Sequence, residues 1–194
     1  MLTKQERNEI IALIRQEVTP AIGCTEPIAV ALAVAKVKEL LTVIPEKLDI
    51  WLSANVLKNA MGVGIPGTGM SGLPIAIAMG ALVGKSEYGL EVLRDSTPDI
   101  VEEGKKLVDR GIINIHLKED IVEKLYIEVT ASAGPDTARV IISREHTRFS
   151  LIEKNSIKLL ELEDNETEET VTEQLQLSFD KVCDFAFYTP IDEI

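Results

Sequence analysis

The chain contains few cysteines, histidines and aromatic residues. Its 194 residues include two cysteines and two histidines, and aromatic side chains make up 4%. Two cysteines cannot build a framework of several disulfides, and no CxxC pair or His/Cys cluster indicates a zinc site. Because aromatic side chains are scarce, a folded core must consist mainly of Ile, Leu, Val and Ala.

Basic residues are scarce relative to acidic ones. There are 20 Lys and Arg against 32 Asp and Glu, which gives a formal net charge of −12. Nucleic acids and anionic membranes require a cationic face, so this balance disfavours both as main partners. The first ten residues, MLTKQERNEI, lack the apolar centre of a signal peptide, and the longest apolar run, 28–35, is too short to span a bilayer. We therefore expect a cytoplasmic protein.

Hydrophobic periodicity divides the chain into a helical part and a strand-rich part. Helical spacing or capping signals predict helices at 4–18, 27–41, 73–83, 97–110 and 169–187. Alternating patterns predict a strand at 47–55, a hairpin from 125–131 and 138–143, and two further antiparallel strands. The expected class is α+β, with N-terminal helices packed on a mostly antiparallel β-sheet and a C-terminal helix.

Cys24 directly precedes the predicted second helix. Amide hydrogens and the positive end of the helix dipole favour a thiolate there, which would make Cys24 a usable base or nucleophile. Glu26 opposes this effect, and a small buried thiol at a tight turn is the alternative. Cys183 stands in an apolar helical context, so we expect Cys24 to be the more reactive thiol.

The segment 62–72 contains five glycines, and Gly62, Gly64 and Gly67 match the GxGxxG pattern. A dinucleotide site is rejected because Pro66 removes an amide donor and no acid-ended second strand follows about 20 residues later. Glycines permit close backbone approach to a small ligand, although a tight packing loop is the alternative.

Polar residues flank this glycine segment and the second hairpin strand. Asn55, Lys58 and Asn59 could donate to a carboxylate, but such residues also serve as caps or surface groups. His146 and Thr147 follow the hairpin, where a histidine is either an acid/base group or an ordinary loop residue.

Together these motifs resemble the L-cysteine desulfidase family, which is related to the iron–sulfur L-serine dehydratases. The matching residues are Gly23 to Pro27, then Asn55, Lys58 and Asn59 through Gly72, then His146 and Thr147. The resemblance implies a lyase that eliminates sulfide from L-cysteine, or water from L-serine, to give pyruvate and ammonia. It implies a [4Fe-4S] cluster rather than pyridoxal phosphate, with ligands in a C-terminal helical domain that is absent here.

The resemblance also implies a division of the chain and roles for its residues. Residues 1–165 would form an α+β substrate-recognition domain, and 166–194 an acidic linker and helix leading towards the cluster domain. Cys24 would remove the α-proton, and His146 would help to close the site. The implied substrate-binding residues are Thr25, Glu26, Asn55, Lys58, Asn59, Gly64, Gly67, Thr68 and Thr147. No metal ligand, NAD site or nucleic-acid partner is expected in this chain, and a homodimer is left open.

Two other interpretations remain. The chain could be a stand-alone binding or regulatory domain for a small amino acid that lacks catalysis. It could also be a hydrolase with Cys24 as nucleophile and His146 as base, although no third residue is evident to orient the histidine.

Overall fold

The computed structural model describes residues 2–162 and 177–194, which fall into two compact units. One unit comprises the described residues from Pro20 onward to Leu162. The other comprises the described residues of 2–19 and 177–194.

The described residues contain six α-helices and eight β-strands. The helices are α1 (Lys4–Glu17), α2 (Thr25–Leu41), α3 (Ala54–Ala60), α4 (Leu73–Leu82), α5 (Pro98–Asp109) and α6 (Phe179–Tyr188). The strands are β1 (Lys47–Leu52), β2 (Gly64–Ile65), β3 (Met70–Ser71), β4 (Ile113–Leu117), β5 (Tyr126–Ala133), β6 (Asp136–Ser143), β7 (Phe149–Lys154) and β8 (Ile157–Glu161). Short 3-10 helices cover Ser86–Glu91 and Ile191–Glu193.

Six strands of the larger unit form one sheet in the order β4-β1-β5-β6-β7-β8. The β1–β4 pair is parallel, and the other neighbouring pairs are antiparallel. Helices α2 and α3 contact strands of this sheet, and α6 lies near the C-terminus. The predicted α+β class is confirmed.

Helix α2 lies between the sheet and α4. It packs on β5 and β6 with one side and on α4 with another, and Ile28 to Ala35 are buried without exception. A helix that is covered on all sides must be apolar on all sides, which explains why this segment shows no amphipathic stripe. The position of α2 fixes where its first turn, with Cys24 and Glu26, meets the rest of the fold.

The structure corrects two predicted boundaries. The strand predicted at 47–55 ends at Leu52, because Ser53 caps α3 by accepting a hydrogen bond from the Val56 amide at 3.4 Å. The predicted C-terminal helix is described only from Phe179, where Ser178 is the N-cap. Most of the acidic run and the first part of that predicted helix lie outside the described residues.

The smaller unit combines α1 and α6. Thr3 and Glu6 form the predicted capping box at the start of α1. The Lys181 ammonium of α6 lies 3.0 Å from the Glu6 carboxylate, and Arg7 pairs with Glu193 at 3.3 Å. In the described part of the chain, no helix has the length and apolar character needed to cross a membrane.

Glycine at position 80 permits the close packing of α4 on α2. A Cβ added at Gly80 would lie 2.5 Å from the Ala31 carbonyl oxygen, which belongs to the backbone and cannot rotate away. We expect Gly80→Ala to lower the free energy of unfolding by about 1–3 kcal/mol, although alanine is normally the better helix former.

Urea unfolding measures this effect, and Gly62→Ala is the control because a Cβ there meets nothing within 4 Å. Equal stability of the Gly80→Ala and Gly62→Ala variants would show that the two helices do not pack this closely.

Candidate functional site

The predicted site residues gather at one end of the sheet. Leu52 at the end of β1 pairs with Ile127, and Tyr126 at the start of β5 pairs with Ser143 at the end of β6. Helix α3 follows β1, and the loop 144–148 follows β6, so both leave the sheet at the same end. We call this the α3 end of the sheet.

Glu26 is the centre of a hydrogen-bonded group at the α3 end. Its Oε2 accepts from the Cys24 thiol and from the Thr25 hydroxyl, both at 3.2 Å. Its Oε1 accepts from Asn59 Nδ2 of α3 at 3.0 Å. We call Cys24, Thr25, Glu26 and Asn59 the Glu26 cluster, and all four side chains are half-buried.

Local backbone geometry places Cys24 at the start of α2. Gly23 has a φ of +97°, which favours glycine, and Cys24 is the N-cap residue with extended backbone. The thiol makes no capping hydrogen bond to the helix and points instead to Glu26 in the first turn. Ser, Thr or Asp usually occupies the N-cap position of a helix. Here Cys24 occupies it, and its thiol contacts the Glu26 carboxylate.

The two acidic groups of this contact have pKa values shifted in opposite directions. Burial raises the pKa of the Cys24 thiol, and the hydrogen bond to Glu26 raises it further. Burial also acts to raise the pKa of Glu26, but the hydrogen bonds from Cys24, Asn59 and Thr25, with one from its own amide, together lower it. The cluster therefore holds a neutral thiol and an ionised carboxylate near neutral pH.

The expected thiolate at Cys24 is wrong for this reason. The helix amides do favour an anion, but the anion is already present at Glu26, and a second negative charge would lie beside it. Glu26, which the sequence already indicated as opposing a thiolate, therefore determines the protonation state of Cys24.

The glycine segment forms a β-hairpin from β2 and β3, beside the Cys24 turn. A Cβ added at Gly23 would lie 2.9 Å from Pro66 Cγ, so the hairpin packs directly against the residue before Cys24. An open cleft of about 540 Å³ is lined by Gly64, Ile65, Pro66, Gly69, Met70 and Ser71. The segment thus packs against Gly23 and also lines an open cleft.

Within the hairpin, Thr68 and Gly67 shape the turn. The Thr68 hydroxyl donates to the Ile65 carbonyl at 2.7 Å and accepts from the Met70 amide at 3.0 Å. Gly67 has a φ of +77°, and a Cβ there would meet nothing within 4 Å. The hydrogen bonds of the Thr68 hydroxyl are therefore made within the turn. Glycine is required at position 67 because of its positive φ, and not because a side chain there would clash.

The donors predicted on α3 differ in their surroundings. Asn59 donates a hydrogen bond to Glu26, and its predicted role as a donor to a substrate carboxylate stays a prediction. Asn55 and Lys58 are exposed, and their side chains form no hydrogen bond with another described residue. Lys58 remains a cation available to a ligand at this end.

His146 and Thr147 lie at the same end of the sheet, but neither forms a hydrogen bond with the Glu26 cluster. Thr147 Cγ2 would be 3.9 Å from a Cβ added at Gly89, in the 3-10 helix Ser86–Glu91. The Leu90 carbonyl of that helix accepts from the Ile22 amide at 3.1 Å, just before Cys24. This helix therefore connects the His146 loop to the Cys24 turn.

Two parts of this site have no local signal in the sequence. Pro66 and the 3-10 helix Ser86–Glu91 take part only through contacts with residues distant in the chain. Glu26 was expected as a substrate-binding residue, but its position as the shared acceptor of three side chains required the placement of α3.

Alkylation should show the raised pKa of Cys24. In a Cys183→Ser background, we expect the iodoacetamide rate to rise with a midpoint above about 8.5, the ordinary thiol value. Glu26→Gln should move that midpoint down, because it removes the carboxylate and its negative charge. A midpoint below the ordinary value in the otherwise unchanged chain would contradict the thiol–carboxylate contact.

Asn59 should stabilise the protein in a pH-dependent way. The folded-state pKa of Glu26 is lowered, so its stabilising contacts are present above the unfolded value of about 4.3 and are lost as pH falls through the folded value. We expect Asn59→Ala to cost about 1.5 kcal/mol at pH 7 and clearly less at pH 3, measured by urea unfolding.

Asn55→Ala is the matched control on the same helix and should change stability by less than about 0.5 kcal/mol at both pH values. An Asn59→Ala cost that is the same at pH 3 and pH 7 would show that Asn59 only fills space.

Comparison with known proteins gives close relatives over the whole chain. The chain is 62% identical over 193 residues to a UPF0597 protein from Bacteroides fragilis and 60% identical over 194 residues to one from Phocaeicola vulgatus. A UPF0597 protein from Aeromonas hydrophila is 40% identical over 195 residues. The chain spans about 45% of the length of these relatives. No protein-family model matches the chain, and no solved structure matches it.

These relatives overturn the assignment based on resemblance. The expectation of an L-cysteine desulfidase N-terminal domain is wrong, because relatives that match the whole chain carry a different family name, which states no activity. The lyase reaction inferred from that assignment is withdrawn with it. The iron–sulfur cluster and its separate domain stay predictions. At 62% identity over its whole length, the chain belongs to the UPF0597 protein family.

Proposed function

We propose that the α3 end of the sheet binds a small polar substrate, of the size of an amino acid, and that Cys24 and Glu26 transfer a proton to and from it. One observation carries this proposal: the Cys24 sulfur lies 3.2 Å from an ionised carboxylate that is itself held by Asn59 and Thr25. A proton donor and a proton acceptor are thus in contact, and the neighbouring Gly23 packs against the hairpin that lines the cleft.

The protonation states suit acid–base catalysis. Glu26 in its ionised form can accept a proton from a carbon acid, and the Cys24 thiol can return one. Proton removal leaves both groups protonated, and donation by the thiol then leaves a thiolate beside a protonated Glu26. Transfer of the proton from Oε2 to Sγ across their contact restores the starting state. No group outside the pair is needed to balance the protons.

The pair needs a substrate with a C–H bond next to a carboxyl group whose negative charge is neutralised by a cation or by hydrogen-bond donors. Lys58 is an exposed cation one residue before Asn59, and the β2–β3 hairpin lines the adjacent cleft. The Lys58 ammonium suits an anionic group on a small molecule. We assign Asn55, Gly64 and Gly67 to the same face, and His146 and Thr147 to the opposite side of the substrate.

Asn59 and Thr25 act as positioning residues in this proposal. They fix the carboxylate through separate oxygen atoms, which leaves Glu26 directed towards the thiol. Thr68 stabilises the hairpin turn and contacts no substrate in the proposed arrangement, since its hydroxyl is occupied by backbone groups.

Hydrogen–deuterium exchange at carbon tests the proposed proton transfer. A panel of small L-amino acids is incubated with the protein in D₂O, and the loss of the Cα–H signal is followed by proton NMR. We expect at least one member to exchange, and Cys24→Ser and Glu26→Gln to slow exchange by about 100-fold or more. Cys183→Ser is the matched control and should exchange at the unchanged rate.

The longer Bacteroides fragilis relative is measured in parallel, because the chain spans about 45% of its length. Absence of exchange in both proteins, or equal exchange in the Cys24→Ser and Cys183→Ser variants, would show that the thiol–carboxylate pair does not transfer protons to such a substrate.

A further inference from the structure

The sheet has a second face that carries polar side chains. In β1, Leu48, Ile50 and Leu52 are buried in the core on the helix side, while Lys47, Asp49 and Trp51 point to the other side. The pairing of neighbouring strands extends this second face across the sheet. One row of paired residues runs Asn114, Asp49, Thr130, Arg139, Glu153 and Lys158.

A depression lies on this polar face at the sheet end opposite the α3 end. Lys47 begins β1 and pairs with Ser132 near the end of β5, whereas the Glu26 cluster lies beyond the other end of β1. The depression has a volume of about 300 Å³ and is lined by Lys47, Asp49, Thr130, Ala131, Ser132, Thr137, Ala138, Arg139 and Glu153. We call it the hydroxyl pocket.

The side-chain sizes explain its shape. Three short hydroxylated residues, Thr130, Ser132 and Thr137, occupy neighbouring positions of β5 and β6. Longer charged side chains surround them, with Lys47 and Asp49 on one side and Arg139 and Glu153 on the other. The floor is therefore low and polar, and the rim carries both signs of charge.

A buried carboxylate holds the arginine of the rim in place. Glu128 is 6% exposed, and its Oε1 accepts a hydrogen bond from Arg139 Nε at 2.8 Å and lies 2.8 Å from Arg139 Nη2 in an ion pair. Its Oε2 accepts from Lys118 and Tyr126, also at 2.8 Å. The guanidinium is thus fixed along one edge, and its Nη1 forms no hydrogen bond with another described residue.

Other polar groups in the pocket are also uncommitted within the described part of the chain. The hydroxyls of Thr130, Ser132 and Thr137 and the Glu153 carboxylate form no hydrogen bond or ion pair with other described residues. Lys47 and Asp49 pair with each other at 2.7 Å. Donors and an acceptor therefore converge on one small concave space.

We infer that the hydroxyl pocket binds a small zwitterion that carries one ammonium and one carboxylate group. The carboxylate is held by Arg139 Nη1 and the floor hydroxyls, and the ammonium by Glu153. Arg139 and Glu153 are directly paired on adjacent strands, where Cα atoms are about 5 Å apart, so the two ligand charges must be separated by a few ångströms. Free α-amino acids meet this requirement, and the volume is at the lower end of small-ligand sites.

This site is separate from the Glu26 cluster and does not depend on the proposed proton transfer. A polypeptide lying on the polar face would require an extended surface rather than an isolated depression, so it is treated as an alternative outcome.

Calorimetric titration of the full chain with individual free L-amino acids tests the inference. We expect at least one to bind, and its N-acetyl and primary amide derivatives to bind about tenfold more weakly or worse, because each lacks one charge. Glu153→Gln and Thr130→Val should each weaken binding by a similar factor while the melting temperature stays nearly unchanged. Arg139 is left intact because its removal would take away one of the two cations that compensate for the burial of Glu128.

Glu161→Gln is the matched control, since Glu161 is an exposed carboxylate on β8 that pairs with Lys158. It should bind as the unchanged chain does. Three outcomes would overturn the inference: no binding by any amino acid up to about 10 mM, equal affinity for a zwitterion and its derivatives, or binding that survives Glu153→Gln but is lost in Glu26→Gln. The second would favour a polypeptide contact, and the third would place the ligand at the Glu26 cluster.

Discussion

The packing of α2 between the sheet and α4 is the constraint on which the other features depend. This helix can be enclosed because its residues are apolar on every side and because Gly80 lets the α4 backbone approach Ala31. An enclosed helix has little freedom to slide or rotate, since interiors are close-packed. Its first turn is therefore held at a defined place at the α3 end, which brings Glu26 within hydrogen-bond distance of Asn59.

The Glu26 cluster shows how one carboxylate can decide the chemistry of a neighbouring thiol. A helix N-terminus alone would favour a thiolate at Cys24. Glu26 occupies the same positive end and is supported by Asn59 and Thr25, so the negative charge resides on oxygen and the proton on sulfur. The result is a donor–acceptor pair rather than a preformed nucleophile, which favours proton transfer over the hydrolase interpretation.

The two faces of the sheet carry different kinds of residues. The helix side supplies the core, and its strand residues are aliphatic. The other side carries charged residues around the buried Glu128, whose hydrogen bonds to Lys118, Tyr126 and Arg139 compensate for its burial. This arrangement leaves a rigid polar surface at one end of the sheet and a thiol–carboxylate pair at the other.

The sequence by itself determined the α+β class, the main helices and strands, and which polar residues around Cys24 are candidates for chemistry. Periodicity and caps are local, so they can be recognised without knowledge of the fold. The sequence also led to the wrong family and to the wrong protonation state for Cys24. Only the tertiary structure decided which groups meet: Glu26 with Asn59, Gly23 with Pro66, and the polar rows of β1, β5 and β6. These contacts depend on helix packing and strand register, which join residues tens of positions apart and leave no pattern in any short segment.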